Sequence, residues 1–217
     1  MIREIGKTNS IFNRFLAELR DVTVQDDRMR FRRNMERIGE IFAYEISKTF
    51  EYKAKEVITP LGVAHMNLPT VNPVLATILR AGLPLHQGLL NYFDHSDCGY
   101  VSAYRKYTKE ENFTIKLDYV SAPSLDSTTL IVSDPMLATG GSLIAAMKGL
   151  MQNGEPEHIH VVVLLASEEG IVNLKRHFSL KPFTLWVGAV DDELTAKAYI
   201  VPGLGDAGDL AFGCKED

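Results

Sequence analysis

Cysteine, tryptophan and long apolar runs are scarce in this sequence. Only two of its 217 residues are cysteines, Cys98 and Cys214, and neither belongs to a CxxC pair. That excludes a disulfide framework and a cysteine zinc site. The longest uninterrupted apolar run, Val161 to Ala166, falls far short of the roughly 20 residues that a membrane span needs. The first residues, Met1-Ile-Arg-Glu-Ile-Gly-Lys-Thr8, contain no apolar stretch of the secretory kind, so a cytoplasmic location is expected, with no membrane partner. There is no excess of positive charge either. Lys and Arg number 23 against 28 Asp and Glu, a net charge of −5, which argues against nucleic acid as a partner bound by charge. No repeat, low-complexity tract or Gly/Ser/Pro linker divides the chain, and residues 1–217 are expected to form one domain.

What is present is ordinary for a globular protein: 46% hydrophobic and 24% charged residues, enough apolar surface to offset the entropy of ordering. From Arg28 to Phe50, Met35, Ile38, Phe42, Ile46 and Phe50 recur at steps of three or four, one face of a helix. Arg30, Arg33 and Arg37 line another face, read first as solvated. Val74 to Leu79 is a continuous apolar run, the mark of a strand covered on both faces, and Gly82 to Phe93 follows as a helix. Phe113 to Tyr119 alternates and reads as a half-exposed strand in a hairpin or flap. Thr129–Val132, His158–Leu165 and Phe183–Val187 read as strands, separated by helices after Ser142 and over Glu168–Phe178. This alternation predicts an α/β fold with a mostly parallel twisted sheet flanked by helices.

The most informative segment joins the strand at Thr129 to the helix after it: Asp134-Pro-Met-Leu-Ala-Thr-Gly-Gly-Ser142. In open α/β sheets ligands bind beyond the carboxyl ends of the strands. A helix start offers free N–H groups and the positive end of the helix dipole, both suited to phosphate. Gly140 and Gly141 allow close backbone approach, and Thr139 and Ser142 add hydroxyls. Asp134, repelled by phosphate, suits sugar hydroxyls or a Mg²⁺-bound group instead. The implied ligand is a sugar phosphate. A plain strand–turn–helix is the bland alternative, and no lysine precedes Ser142 as a Walker loop requires. Near the C-terminus, Gly203-Leu-Gly-Asp-Ala-Gly208 matches GxGxxG in letters only. Pro202 precedes it and nine residues follow, too few for the helix and second strand of a dinucleotide site. It reads as a glycine-rich loop offering backbone groups to a planar ligand.

These segments together resemble the uracil phosphoribosyltransferases. Asp134–Ser142 is similar to that family's phosphoribosyl-diphosphate loop, Ile78-Leu-Arg-Ala-Gly-Leu83 to its diphosphate-binding loop, Ala103-Tyr-Arg105 to the start of its flap, and Tyr199–Asp209 to its uracil-binding segment. Leu19-Arg-Asp21, Phe31-Arg32 and Tyr44-Glu45 fit as well, so the resemblance spans nearly the whole chain. It implies a type I phosphoribosyltransferase fold with a small β hood, a flap around 103–120 and a base-binding segment over 199–213. It implies transfer of phosphoribose from 5-phosphoribosyl 1-diphosphate to uracil, giving UMP and diphosphate. Arg80, Arg105 and Asp134 would be catalytic. Arg80, Arg105, Asp134, Pro135, Met136, Leu137, Ala138, Thr139, Gly140, Gly141, Ser142 and Asp206 would bind the donor. Ile200, Gly205, Asp206 and Ala207 would contact uracil. Mg²⁺ would enter with the donor's diphosphate, with no protein metal ligands, and a homodimer or higher homo-oligomer is implied. Three departures stand out: Leu210 in place of a basic residue after the last Gly-Asp, Gln87 in place of an acid, and Lys106-Tyr-Thr-Lys-Glu-Glu111 after Arg105.

Other candidates carry less. His158 and His160 share a strand face, a metal-like spacing, but no third ligand is evident in the sequence. Trp186 reads as core, as do Met29 and Met35. No HExxH or GxSxG motif occurs. Two other functions remain open from the residues: a regulatory protein that senses the donor, and an enzyme for a different nucleobase.

Overall fold

The structure, a computed structural model, describes residues 1–107 and 113–215, apart from the side chains of residues 104–107 and 113–115. In chain order it runs β1 (Ile2–Glu4), α1 (Ile11–Arg20), α2 (Arg28–Ser47), β2 (Tyr52–Thr59), β3 (Gly62–Pro69), β4 (Val74–Leu79), α3 (Leu83–Leu90), β5 (Cys98–Tyr107), β6 (Phe113–Ser121), β7 (Thr129–Ser133), β8 (Met136–Leu137), α4 (Gly141–Leu150), β9 (His158–Ser167), α5 (Glu168–His177), β10 (Phe183–Asp191), β11 (Glu193–Leu194), β12 (Ile200–Val201) and α6 (Ala207–Phe212). The main sheet has the order β1-β10-β9-β7-β4-β5-β6, and β8 also pairs with β9. All its pairings are parallel except β5 with β6 at the edge.

The apolar runs become strands buried on both faces. Along β4, Val74, Ala76 and Ile78 join one core, with Leu143, Met147 and Leu150 of α4 and Ile171 and Leu174 of α5. Leu75 points the other way, into a core shared with Phe31, Met35, Ile38 and Phe42 of α2 and Leu85 and Leu89 of α3. Side chains alternate across a strand, so a run with both faces covered must be apolar at every position. Thr77 is tolerated there because its hydroxyl donates to the Ser133 carbonyl at 3.0 Å, while the Ser133 hydroxyl donates to Ala76 O at 3.2 Å.

The helix read over Arg28–Phe50 ends at Ser47. Its Asp27 cap accepts from Arg30 N, and Phe50 packs beyond its end. Helix α1 was not anticipated. Ser10 caps it in a reciprocal pair with Asn13, and Phe12, Leu16 and Leu19 are buried. Strands β2 and β3 pair as an antiparallel hairpin that is exposed along nearly its whole length. The alternating Phe113–Tyr119 strand is β6, which closes the edge of the main sheet against β5. The tip of the expected flap, residues 108–112, lies outside the described residues.

Asp134 and Pro135 interrupt a strand without shifting its register. Thr129 pairs with His158 and Ser133 with Val162, and beyond the break Met136 pairs with Leu165, every pair 29 positions apart. Pro135 has no N–H to give the ladder, but its carbonyl accepts from Leu164 and Leu165. The chain therefore leaves the sheet at Asp134 and is re-anchored before the anion loop begins.

Candidate functional site

A cleft of about 590 Å³ opens at the carboxyl ends of the central strands. One wall is the turn after β8. Helix α4 begins at Gly141 with no side-chain cap, and its N-cap Gly140 has φ of 83°. That left-handed conformation suits glycine and would strain other residues. The uncapped start leaves N–H groups at the positive end of the helix dipole, the arrangement that favours a phosphate dianion.

The turn is held from behind by side chains the sequence reading missed. The Ser167 hydroxyl donates to Ala138 O at 2.6 Å, and Asn173 Nδ2 donates to Thr139 O at 3.1 Å. Occupying the carbonyls on one side leaves the amides on the other for a ligand. Ser167 also caps α5 by accepting from Gly170 N at 2.9 Å. The α5 cap by Ser167 is written locally, but its reach to Ala138 O, and that of Asn173 to Thr139 O, cross the fold, so no nearby pattern marks those contacts.

Asp134 lines the cleft while only 8% exposed. Burial pushes its carboxyl up to about 7, partly opposed by a hydrogen bond from the Met136 amide. A buried carboxylate with no cation beside it among the described residues gains from hydroxyl donors, which suits ribose rather than phosphate.

The opposite wall comes from the C-terminal segment. Ile200, Gly205, Asp206 and Ala207 line the cleft, joined by Tyr199 and Asp209. Asp206 is committed locally: its Oδ1 accepts from Gly208 N at 2.9 Å and Asp209 N at 3.0 Å, capping α6. Gly205, with φ of 93°, holds a turn whose backbone faces the cleft. Lys215, unmarked by any motif, reaches the same cleft.

Of the residues read from the sequence, the cleft gathers Asp134, Pro135, Met136, Ala138, Thr139, Gly140, Gly141, Ser142, Ile200, Gly205, Asp206 and Ala207. Leu137 is not among the lining residues: its side chain is fully buried in the core, because β8 turns it inward between Met136 and Ala138. Arg80 is not among the lining residues. Its Nη2 donates to Asp209 Oδ1 at 3.3 Å and to Gly213 O at 3.2 Å, so the C-terminal segment holds it. Arg105 sits on β5 opposite Ile115 of β6, and its side chain lies outside the described residues. His158 and His160 do stack, with ring centroids 4.6 Å apart, but His158 meets Thr184 and His160 Nδ1 accepts from Trp186 Nε1 at 3.0 Å.

Residues 7–214 match the family model described as uracil phosphoribosyltransferase. A uracil phosphoribosyltransferase of Porphyromonas gingivalis is 51% identical over 211 residues, covering 97% of both chains. One of Thermococcus gammatolerans is 40% identical over 201 residues, covering 91% of this chain and 87% of the relative. Among solved structures, a protein of Aquifex aeolicus superposes with a TM-score of 0.86 at 29% identity, covering 98% of each chain. A hypoxanthine phosphoribosyltransferase of Staphylococcus aureus shares the fold, with a TM-score of 0.50 at 13% identity over 86% of this chain and 84% of that one.

Proposed function

Because the chain belongs to the uracil phosphoribosyltransferase family, and so transfers phosphoribose from 5-phosphoribosyl 1-diphosphate to uracil, we propose how its residues divide that work. The C1–O bond to diphosphate breaks and a bond from uracil N1 to C1 forms, with loss of the N1 proton. Products are UMP and diphosphate. Charge grows on the leaving group while the ribose carbon becomes cationic, so stabilising the diphosphate matters more than any nucleophilic side chain.

In this reading the amides from Ala138 to Ser142 hold the 5′-phosphate, with Pro135 and Met136 shaping the approach, and Asp134 accepts from the ribose hydroxyls. Leu137 serves the loop only from the core. Arg80 and Arg105 take the diphosphate, where a planar guanidinium pairs with two oxygens. Asp206 fixes the α6 start beside the donor, and Ile200, Gly205 and Ala207 present backbone to uracil. The single observation that carries the assignment is the uncapped helix start facing the C-terminal segment across one cleft. Holding both substrates there supplies much of the acceleration by orientation.

Among the described residues no group of three or more His, Cys, Asp or Glu could hold a metal. Three carboxylates, Asp134, Asp206 and Asp209, do reach the cleft. That donor set fits a Mg²⁺ carried in by the diphosphate better than a resident ion. When bound, Mg²⁺ neutralises charge on the leaving group.

Residues 1–217 are read as one phosphoribosyltransferase domain, with a flap around 103–120 that shields the donor from water and a base segment over 199–213. A cytoplasmic homodimer or higher homo-oligomer completes the reading. Free Cys98 and Cys214 support a reducing compartment, and no helix among the described residues is long and apolar enough to cross a membrane. Exposed apolar side chains on the β2–β3 hairpin and its turn, Ile58, Leu61, Val63 and Met66, support self-association.

The test is diphosphate release from the donor with a panel of nucleobases. Release with uracil alone is expected. Release with another base would reassign the acceptor, and no release would favour a regulatory donor sensor.

A further inference from the structure

A base read through backbone groups is recognised only as well as that backbone is fixed. Uracil offers the segment no side chain to grip, so discrimination depends on where the Gly205–Ala207 amides and carbonyls stand. Three side chains that reach this segment from outside it clamp the two residues just before it.

Arg20, the last residue of α1, forms a fork with Asp191 at the end of β10: Nη1 to Oδ2 at 2.7 Å and Nη2 to Oδ1 at 2.9 Å. The same Nη1 donates to Gly203 O at 3.0 Å, and Gly203 N donates to Asp191 Oδ2 at 2.9 Å. Both backbone groups of Gly203 are therefore held by one ion pair. Gln25, with its amide nitrogen turned to the carbonyls it faces, donates to Leu204 O at 2.9 Å and to Leu19 O at 3.2 Å. Asp191 is 8% exposed and the Arg20 side chain 23%, so solvent competes little for these bonds. None of the three side chains lines the cleft.

We propose that Arg20, Gln25 and Asp191 are positioning residues for the acceptor base, a bracket on Gly203 and Leu204 that fixes the uracil-reading backbone and so sets base specificity. This rests on reading Ile200–Ala207 as the base segment. The bracket touches only that wall. The α4 turn is held separately, by Ser167 and Asn173, so loosening the bracket weighs on the base far more than on the donor, which meets this wall only around Asp206 and Asp209.

The experiment is steady-state kinetics with both substrates varied, on Arg20→Lys, Asp191→Asn, Gln25→Glu and, as a control, Gly205→Val. Lysine keeps the charge but loses the fork, and the Gln25→Glu carboxylate repels the carbonyls it faces. Misplacing a substrate-positioning group by about 1 Å can cost as much as 100-fold, so a rise of about tenfold in uracil KM is expected with donor KM within about twofold. The preference for uracil over cytosine, as a ratio of kcat/KM, should shrink in the same variants. In Arg20→Ala, which removes the side chain, added ethylguanidinium should lower the raised uracil KM and leave the donor KM unmoved. Equal rises in both KM values, or neither moving in folded variants while Gly205→Val still harms uracil use, overturn the bracket and leave the base segment standing. No change in uracil KM for Gly205→Val overturns the base segment, and the bracket with it.

Discussion

Asp134 shows how one residue can serve function against stability. Its carboxyl sits at about 7 in the folded chain against 3.8 for the free group. Between those values the folded chain binds more protons than the unfolded chain, so this residue's contribution to stability falls as pH rises from about 4 to 7. The full cost at alkaline pH is on the order of 4 kcal/mol. Asp134→Asn should abolish turnover while raising Tm at pH 8 by up to about 8–16 °C, with a smaller gain at pH 5, as followed by thermal denaturation. Asp209 makes the opposite kind of contact. It holds Arg80 in a half-exposed pair, worth about 1 kcal/mol at most. On the proposed reading, the donor's diphosphate would compete with it for the same guanidinium. Asp209→Asn should lower the donor KM about threefold, within what so weak a pair can supply, with Tm nearly unchanged. A rise in donor KM would show that Asp209 serves the donor directly.

At the scale of elements, the turn into α4 keeps its uncapped start only while Gly140 holds its φ of 83°. An added Cβ would also stand 3.4 Å from Gly170 O and Ile144 Cδ1. Gly140→Ala is expected to cost about 1–2 kcal/mol, seen as a Tm lower by a few degrees, and to raise the donor KM more than the uracil KM. Asn173→Ala should act on the same side, because it frees Thr139 O and lets the loop turn. Most of the elements around this turn could be anticipated locally. The β7 run, the small-residue loop and the Leu143, Met147 and Leu150 stripe follow from neighbours in sequence. Helix α1 carries the same local signal, with Phe12, Leu16 and Leu19 at steps of four and three behind the Ser10 cap, and is legible in the same way.

For the whole molecule, two buried imidazoles decide the response to acid. Burial holds His86 down to about 4 and His160 to about 3, the latter also opposed by His158 and Arg3. Below 6.5 the unfolded chain takes up protons that the folded chain refuses, so both make stability fall as pH drops from 6.5 toward 4. Asp134 pulls the other way over much of that range, but two groups outweigh one. Stability should therefore decline between pH 6.5 and 4. Trp186, the single tryptophan, donates to His160 and reports unfolding by fluorescence. His86→Leu should flatten the profile, since neither ring nitrogen of His86 has a hydrogen-bond partner among the described residues. Self-association is checked at the same scale: Ile58→Asp with Leu61→Asp should lower the mass seen by sedimentation.

The order of residues alone determined the alternation of strand and helix, the small-residue turn into α4 and the glycine-rich C-terminal loop. Each is written in periodicities of two to four residues or in a short loop, and such signals survive without knowing the partners. Only the tertiary structure decided that Leu137 belongs to the core and that Arg80 is held by the tail, 129 positions away from Asp209. It alone decided that Arg20 reaches Asp191 and Gly203, 171 and 183 positions on. A polar side chain's choice among distant partners depends on how the packed layers bring them together, and nothing in its neighbourhood along the chain records that choice.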